Sequence, residues 1–340
     1  MPSWDGGFGG YFTELFEHDW LPAGHIKYAR FVIPWYESSG LKDPAYEKWC
    51  ADAAGMGLTL DIALTSYREK EVRPTSAEYR ASLDAFLDQC TAIRYVEAWN
   101  EPDNGGEEKG EATTTYVNPT RAAEYAKAAG LVCGMHSCTA VVGDLLDSDA
   151  NMIEYEQAYV KALNGASFPD WSMHPYLAVK EESSTTVSNF KAHWGDGATS
   201  LWFTEVGAYK CEDYGSTETW TEREQEERAE WLVKDLIKEA AHVFYYEFLD
   251  GENHQPQEGC EKTKNNPDTA LYVPSGDPNA PDRPRSAAAW IFGSGGVGTE
   301  GEVDGAERTF TTELAPPYVA SAPWSDLAID GVVGESFLRG

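Results

Sequence analysis

Tyr95-Val96-Glu97-Ala98-Trp99-Asn100-Glu101-Pro102 decides the reading of this chain. It is a short apolar and aromatic run stopped by Pro102 and the polar, glycine-rich Asp103-Asn104-Gly105-Gly106, the pattern of a buried strand with an abrupt end. An amide and a carboxylate, Asn100 and Glu101, stand together at its tip. A carboxylate held there against Trp99 and a proline is partly desolvated, which raises its proton affinity toward that of a general acid near neutral pH. Taken alone, Asn-Glu-Pro reads better as a strand followed by an acidic turn.

Further along, Leu201-Trp202-Phe203-Thr204-Glu205-Val206-Gly207 repeats the grammar, an aromatic strand that delivers one glutamate to its end before a glycine. Two glutamates on two strand tips are the equipment of a glycoside hydrolase, one to protonate the departing oxygen and one to attack or to activate water. Between them, Trp171-Ser172-Met173-His174-Pro175-Tyr176 ends another strand. In this order and spacing the three motifs resemble the retaining glycoside hydrolases of clan A, in the manner of family 5 or family 39. That resemblance implies an α/β fold, the (β/α)8 TIM barrel, with Glu101 as acid/base, Glu205 as nucleophile and Asn100 on the sugar 2-hydroxyl. It also places His174 and Tyr176 beside the nucleophile, and makes Arg30 the second-strand arginine that supports it. Arg30 reads equally well as an arginine paired to any acidic neighbour. Among the aromatics, Trp35, just past a strand end, is the one favoured as a sugar-stacking platform, whereas Trp202 reads as structural. Glu247 stands where the clan usually shows tryptophan and so bears on the sugar site itself.

Alternation of helix and strand implies parallel strands with right-handed crossovers. Strands are expected at 25–35, 58–64, 95–99, 139–144, 171–174, 201–206 and 242–248, and helices near 43–55, 75–91, 118–134 and 150–164. The longest helix is expected over 221–240, opened by a capping box of Thr221 and Glu224. A polar loop over 249–284 then walls one side of the cleft. The glutamates fall on the third and sixth strands, whereas the clan pattern places them on the fourth and seventh of eight. The tail offers the missing strand: Leu327 to Gly340 reads as two short strands, and its ending Phe337-Leu338-Arg339-Gly340 resembles the first strand of family 5 members. The expectation is therefore a circularly permuted barrel, residues 1–298 forming its catalytic body and 299–340 the connection and strand that complete it between the strands at 28–34 and 242–248.

Across 340 residues the formal net charge is −31, which disfavours nucleic acid or an anionic membrane as partner. There is no apolar run of membrane-spanning length, and Met1-Pro2-Ser3-Trp4-Asp5 has neither the basic region nor the apolar core of an export signal. Six cysteines without CxxC spacing point to disulfides rather than metal or redox chemistry. On the barrel reading Cys50 and Cys90 lie on adjacent outer helices, and Cys211 and Cys260 in neighbouring loops. Such bridges would place the protein in an oxidising compartment. Asp103, Glu107 and Glu108 read as a solvated acidic loop rather than a calcium site. Together these readings describe a secreted monomer that needs no cofactor or metal and hydrolyses β-glycosidic bonds of a polysaccharide or oligosaccharide by double displacement. The alternatives are an exo-acting β-glycosidase and a carbohydrate-binding barrel without turnover.

Overall fold

The computed structural model describes residues 26–38, 44–55, 57–66, 73–105, 115–148, 150–210, 220–246, 269, 272–273, 283–287, 302–303, 306–307 and 327–330. Seven strands follow one another in chain order and pair in parallel: β1 (Ile26–Pro34), β2 (Thr59–Thr65), β3 (Ile93–Glu97), β4 (Thr139–Leu146), β5 (Asp170–His174), β6 (Ser200–Val206) and β7 (His242–Tyr245). A last short strand, β8 (Leu327–Asp330), pairs in parallel with both free edges, from Ile26↔Leu327 to Arg30↔Asp330 on β1 and from Leu327↔Val243 to Ile329↔Tyr245 on β7. The pairing falls ten residues short of the chain end, on Leu327-Ala328-Ile329-Asp330 rather than on the expected Phe337 to Gly340, which lies outside the described residues.

Local chemistry sets the helices. Helix α1 spans Pro44–Gly55, α2 Ser76–Gln89, α3 Pro119–His136 and α4 Met152–Leu163. After β5 come α5 (Tyr176–Lys180) and α6 (Thr185–His193), and after β6 comes α7 (Glu222–Trp231). Capping boxes open α2 (Thr75 with Glu78) and α7 (Thr221 with Glu224), and Asn118 caps α3 ahead of Pro119. The expected helix over 221–240 is not one α-helix: α7 ends at Trp231, a π turn covers Leu232–Leu236 and a 3-10 turn Ile237–Glu239. No residue type marks that change of winding, and Leu232 and Leu236 stay buried through it. The longest described α-helix is α3 instead.

Strands β2, β4, β5 and β6 bury both faces over most of their length, so the apolar pattern runs nearly unbroken along them. Outward residues meet helix aromatics: Phe31 stacks on Trp49 at 5.0 Å, Trp99 on Tyr125 at 4.9 Å, and Trp171 meets Tyr159 edge-on at 5.8 Å. Inward residues, offset by one, form tiers. The floor is aromatic, with Tyr28, Tyr95, Trp202, His242 and Phe244 in mutual ring contact. Two residues further along the same strands, the period of the pleat puts Arg30, Glu97 and Thr204 above that floor. Trp202 is thus a floor residue, as its position in the strand suggested.

Two glycines shape the upper tier. Gly143 has φ 108°, and a Cβ there would sit 2.6 Å from the Ser172 carbonyl oxygen. Its bulge, which shifts the β4–β5 register, swings Asp144 into the interior at φ 57°. Gly207, just past the Glu205 strand, lets Thr269 and the Tyr246 carbonyl close in where any Cβ would collide with them.

The expected Cys50–Cys90 bridge joins α1 to the C-terminal end of α2, with Cα atoms 6.0 Å apart. A second bridge, Cys133–Cys138, closes around the left-handed Ser137 that ends α3 and was not anticipated. The expected Cys211–Cys260 pair, the glycine-rich 3–10 stretch, Glu247 and most of the 249–284 loop lie outside the described residues. No helix among the described residues is long and apolar enough to cross a membrane.

The bridges differ in the chain they close, 40 residues against 5. Loop-closure entropy then predicts that replacing Cys50 and Cys90 by serine lowers unfolding free energy by about 2–4 kcal/mol, and replacing Cys133 and Cys138 by clearly less. Urea midpoints of the two double variants test this, and equal losses contradict it.

Candidate active site

The site is assembled at the C-terminal ends of the strands. Arg30, at the middle of β1 and fully buried, is its hub. Its Nε and Nη2 donate to the two oxygens of Glu97 (2.5 and 2.7 Å), Nη2 also to Asn100 Oδ1 (2.8 Å), and Nη1 to Glu205 Oε1 (2.7 Å). A two-pronged hold by Glu97 fixes the guanidinium plane, and that plane aims the remaining nitrogen at Glu205.

Glu205 lies at the end of β6 with its other oxygen accepting from Tyr176 Oη at 3.1 Å. Burial raises its carboxyl above the ordinary range, opposed by the positive charges of His174 and Arg30. Glu101 follows β3 and keeps 14% of its side chain exposed. Its φ of 44° puts a non-glycine residue in the left-handed region, a conformation that costs about 1–2 kcal/mol. That turn points the carboxylate at His174, with Nδ1 2.9 Å from Oε1, while Asn104 Nδ2 donates to Oε2 at 2.7 Å.

His174 joins the two glutamates. It is fully buried at the end of β5, its Nδ1 also 3.6 Å from Glu205 Oε2 and its Nε2 3.0 Å from Asp144 Oδ1. Burial works against a charged imidazole, but Glu205, Asp144 and the contact to Glu101 outweigh it and hold His174 protonated well above its usual range. Asp144 is the converse: burial alone would raise it, yet His174 and Arg30 keep it ionised well below the usual carboxylate range. Thr204 Oγ1 donates to Asp144 Oδ1 at 2.6 Å and Ser172 Oγ at 3.3 Å.

Of the residues expected from sequence, Arg30, Asn100, Glu101, His174, Tyr176 and Glu205 converge on one cluster. Trp35 does not join it by any of these bonds: it begins a helical turn after β1 (Trp35–Ser38), half-buried, edge-on to Tyr36 and packed on the main core. Three buried acids were missed: Asp61, Glu97 and Asp144. Each is a charged residue inside an otherwise apolar strand, Asp61 and Glu97 in phase with the inward face and Asp144 brought to it by the Gly143 bulge, and the cost of burying an unpaired charge is a signal that it has a partner. Oxygen and nitrogen atoms of Glu97, Asp144 and His174 lie within 4.8 Å of one another, as do those of Glu101, His174 and Glu205, a spacing that suits a metal. Here Arg30 and the protonated His174 already supply cations to both groups.

No family model matches this chain, and no curated protein matches it. Among solved structures, the fold is similar to a family 39 glycoside hydrolase from the gut symbiont Bacteroides cellulosilyticus WH2, with TM-score 0.53, 14% identity, and 85% of this chain and 61% of that one covered. It is also similar to SrfJ from Salmonella typhimurium, with TM-score 0.50, 12% identity, and 83% and 68% covered. The structural neighbours include glycoside hydrolases of clan A. This chain spans 61% of the length of the family 39 structure.

Charge pairing within the cluster generates a direct prediction. Removing the Asp144 charge by Asp144→Asn lowers the pH at which the His174 imidazole loses its proton, read from its ring C–H resonances in an NMR titration. An unchanged midpoint contradicts the account of what keeps His174 charged.

Proposed function

We propose that the chain is a retaining glycoside hydrolase acting on β-linked glycans. The observation that carries this reading is the pair of strand-end glutamates: one oxygen from each lies within 4.8 Å of the other, both on His174. That separation is on the side of the short retaining spacing of about 5–5.5 Å, not the wider gap that an inverting enzyme leaves for water. Their surroundings differ in the way the two roles require. Glu205, held by Arg30 and Tyr176, presents a fixed carboxylate to the anomeric carbon. Glu101, more exposed, protonates the departing oxygen and then takes the proton of the water that releases the sugar. Asn100, locked by Arg30, is placed for the 2-hydroxyl. Trp35 at the C-terminal end of β1 and Glu247 beyond β7 are the candidates for sugar contacts outside this centre.

The same reading accounts for the strand numbering. With β8 taken as the clan's first strand, β1 becomes the second and carries the arginine, β3 the fourth with Glu101, β5 the sixth with His174, and β6 the seventh with Glu205. The fold is then a complete (β/α)8 barrel, circularly permuted by one strand. Two disulfides suit work in an oxidising space, so we place the enzyme outside the cell as a monomer.

Reducing-sugar release from β-glucans, xylans, mannans and galactans, together with aryl β-glycosides, tests the assignment. Wild type cleaves one class, Glu101→Ala loses about 10²–10⁴-fold, and Glu205→Ala falls to background. Proton NMR of the first-formed product shows the β-anomer. Release of the α-anomer, or full activity in either variant, contradicts the proposal.

A further inference from the structure

Asp147, directly after β4, is a buried acid that is hydrogen-bonded to neither glutamate. A buried carboxylate is costly unless donors satisfy it, and here three do. Leu177 N donates to Oδ1 at 2.7 Å, and Ala178 N and Thr186 Oγ1 both donate to Oδ2 at 2.8 Å. The backbone N–H of Asp147 donates in turn to the His174 carbonyl at 3.2 Å. One residue thus grips the His174-Pro175-Tyr176 turn from both ends, ahead of the proline and behind the tyrosine. Nothing local supplies that grip, because Pro175 stands at the cap position of α5 with no side-chain bond to the first N–H groups of the helix.

Tyr176 is what the grip holds. Its hydroxyl donates to Glu205 Oε2 at 3.1 Å, while Arg30 holds the other oxygen of that carboxylate. Its ring stacks on Tyr209 with centroids 5.5 Å apart, and Tyr209 stacks on Trp220 at 5.8 Å. Stacking restrains the plane of a ring, but how far the hydroxyl reaches along that plane is set by the backbone that carries it. We infer that Asp147 is a positioning residue for the nucleophile: by fixing the backbone on both sides of Tyr176, it sets the place from which the hydroxyl reaches Glu205. This role rests on the assignment of Glu205 as nucleophile and deepens the hydrolase reading. An ordinary cap would satisfy the same donors; what distinguishes Asp147 is that the helix it caps begins at the tyrosine on Glu205.

Asp147→Asn tests this. The amide keeps the shape of the carboxylate but offers one acceptor oxygen, and it turns its NH₂ toward at least one backbone N–H. The expected result is a fall in kcat of about 10²-fold with KM within about 3-fold of wild type, the pattern of a reacting group out of line rather than of lost binding. Tyr176→Phe also lowers kcat, and adding Asp147→Asn to it costs less than about 3-fold more, because the two act through one bond. Losses that multiply, full activity in Tyr176→Phe, or a lowered unfolding midpoint with kcat unchanged overturn the positioning role. If Asp147→Asn does not fold, Thr186→Val, which removes one donor from Oδ2, gives a smaller loss of kcat with KM again unchanged, and no loss overturns the role. A separate readout needs no substrate. In crystal structures Tyr176 Oη lies within hydrogen-bond distance of Glu205 in wild type and beyond it in Asp147→Asn, and an unmoved Tyr176 overturns the role whatever the activity. If wild type cleaves no glycoside while Tyr176 moves as expected, the positioning stands and the hydrolase reading fails.

Discussion

One buried guanidinium holds the upper half of this interior together. Arg30 brings a positive charge into a space with no exposure to water, where it binds Glu97, Asn100 and Glu205 and approaches Asp144 at 3.5 Å. Burying such a charge is unfavourable unless nearly every donor is used, and breaking a buried pair by removing one partner typically costs about 3–5 kcal/mol. The residues that satisfy Arg30 are therefore fixed in place by that requirement. Because they include the nucleophile candidate and the amide beside the acid candidate, the charge that organises the interior also orients the chemistry.

The tiers follow from the same economy. Aromatic rings fill the floor, where no polar partner is needed, and the period of the pleat lifts charged residues one tier above it. A second cation, His174, balances Asp144 and bridges the two glutamates. The interior is thus arranged as acids around two cations, and the strained backbone at Glu101 and Asp144 lies where the carboxylates must turn inward against the preference of the chain.

Much of this was legible in the sequence because it was written at strand ends. Asn100-Glu101-Pro102, His174-Pro175-Tyr176 and Glu205-Val206-Gly207 announce their tips through proline and glycine, and the alternation of helix and strand carried the parallel order. Mid-strand acids were harder to read: Asp61, Glu97 and Asp144 depend on which face points inward, and for Asp144 a bulge resets that face. Of the two short strands expected in the tail, the described one is Leu327-Ala328-Ile329-Asp330, which has no aromatic or glycine signature, whereas the resemblance pointed to Phe337-Leu338-Arg339-Gly340, outside the described residues. The break in the helix after Trp231 left no trace, since a change of winding needs no special residue.

The most direct measurement is the identity of the residue that becomes glycosylated. After incubation with a 2-deoxy-2-fluoro glycoside bearing a good leaving group, in a panel of sugars, the proposed function predicts that peptide mass mapping locates one sugar on Glu205 and none on the Arg30→Lys protein at the same exposure. A label on Glu101, Glu97 or Asp144, or rapid turnover with no covalent adduct at any carboxylate, would contradict the account.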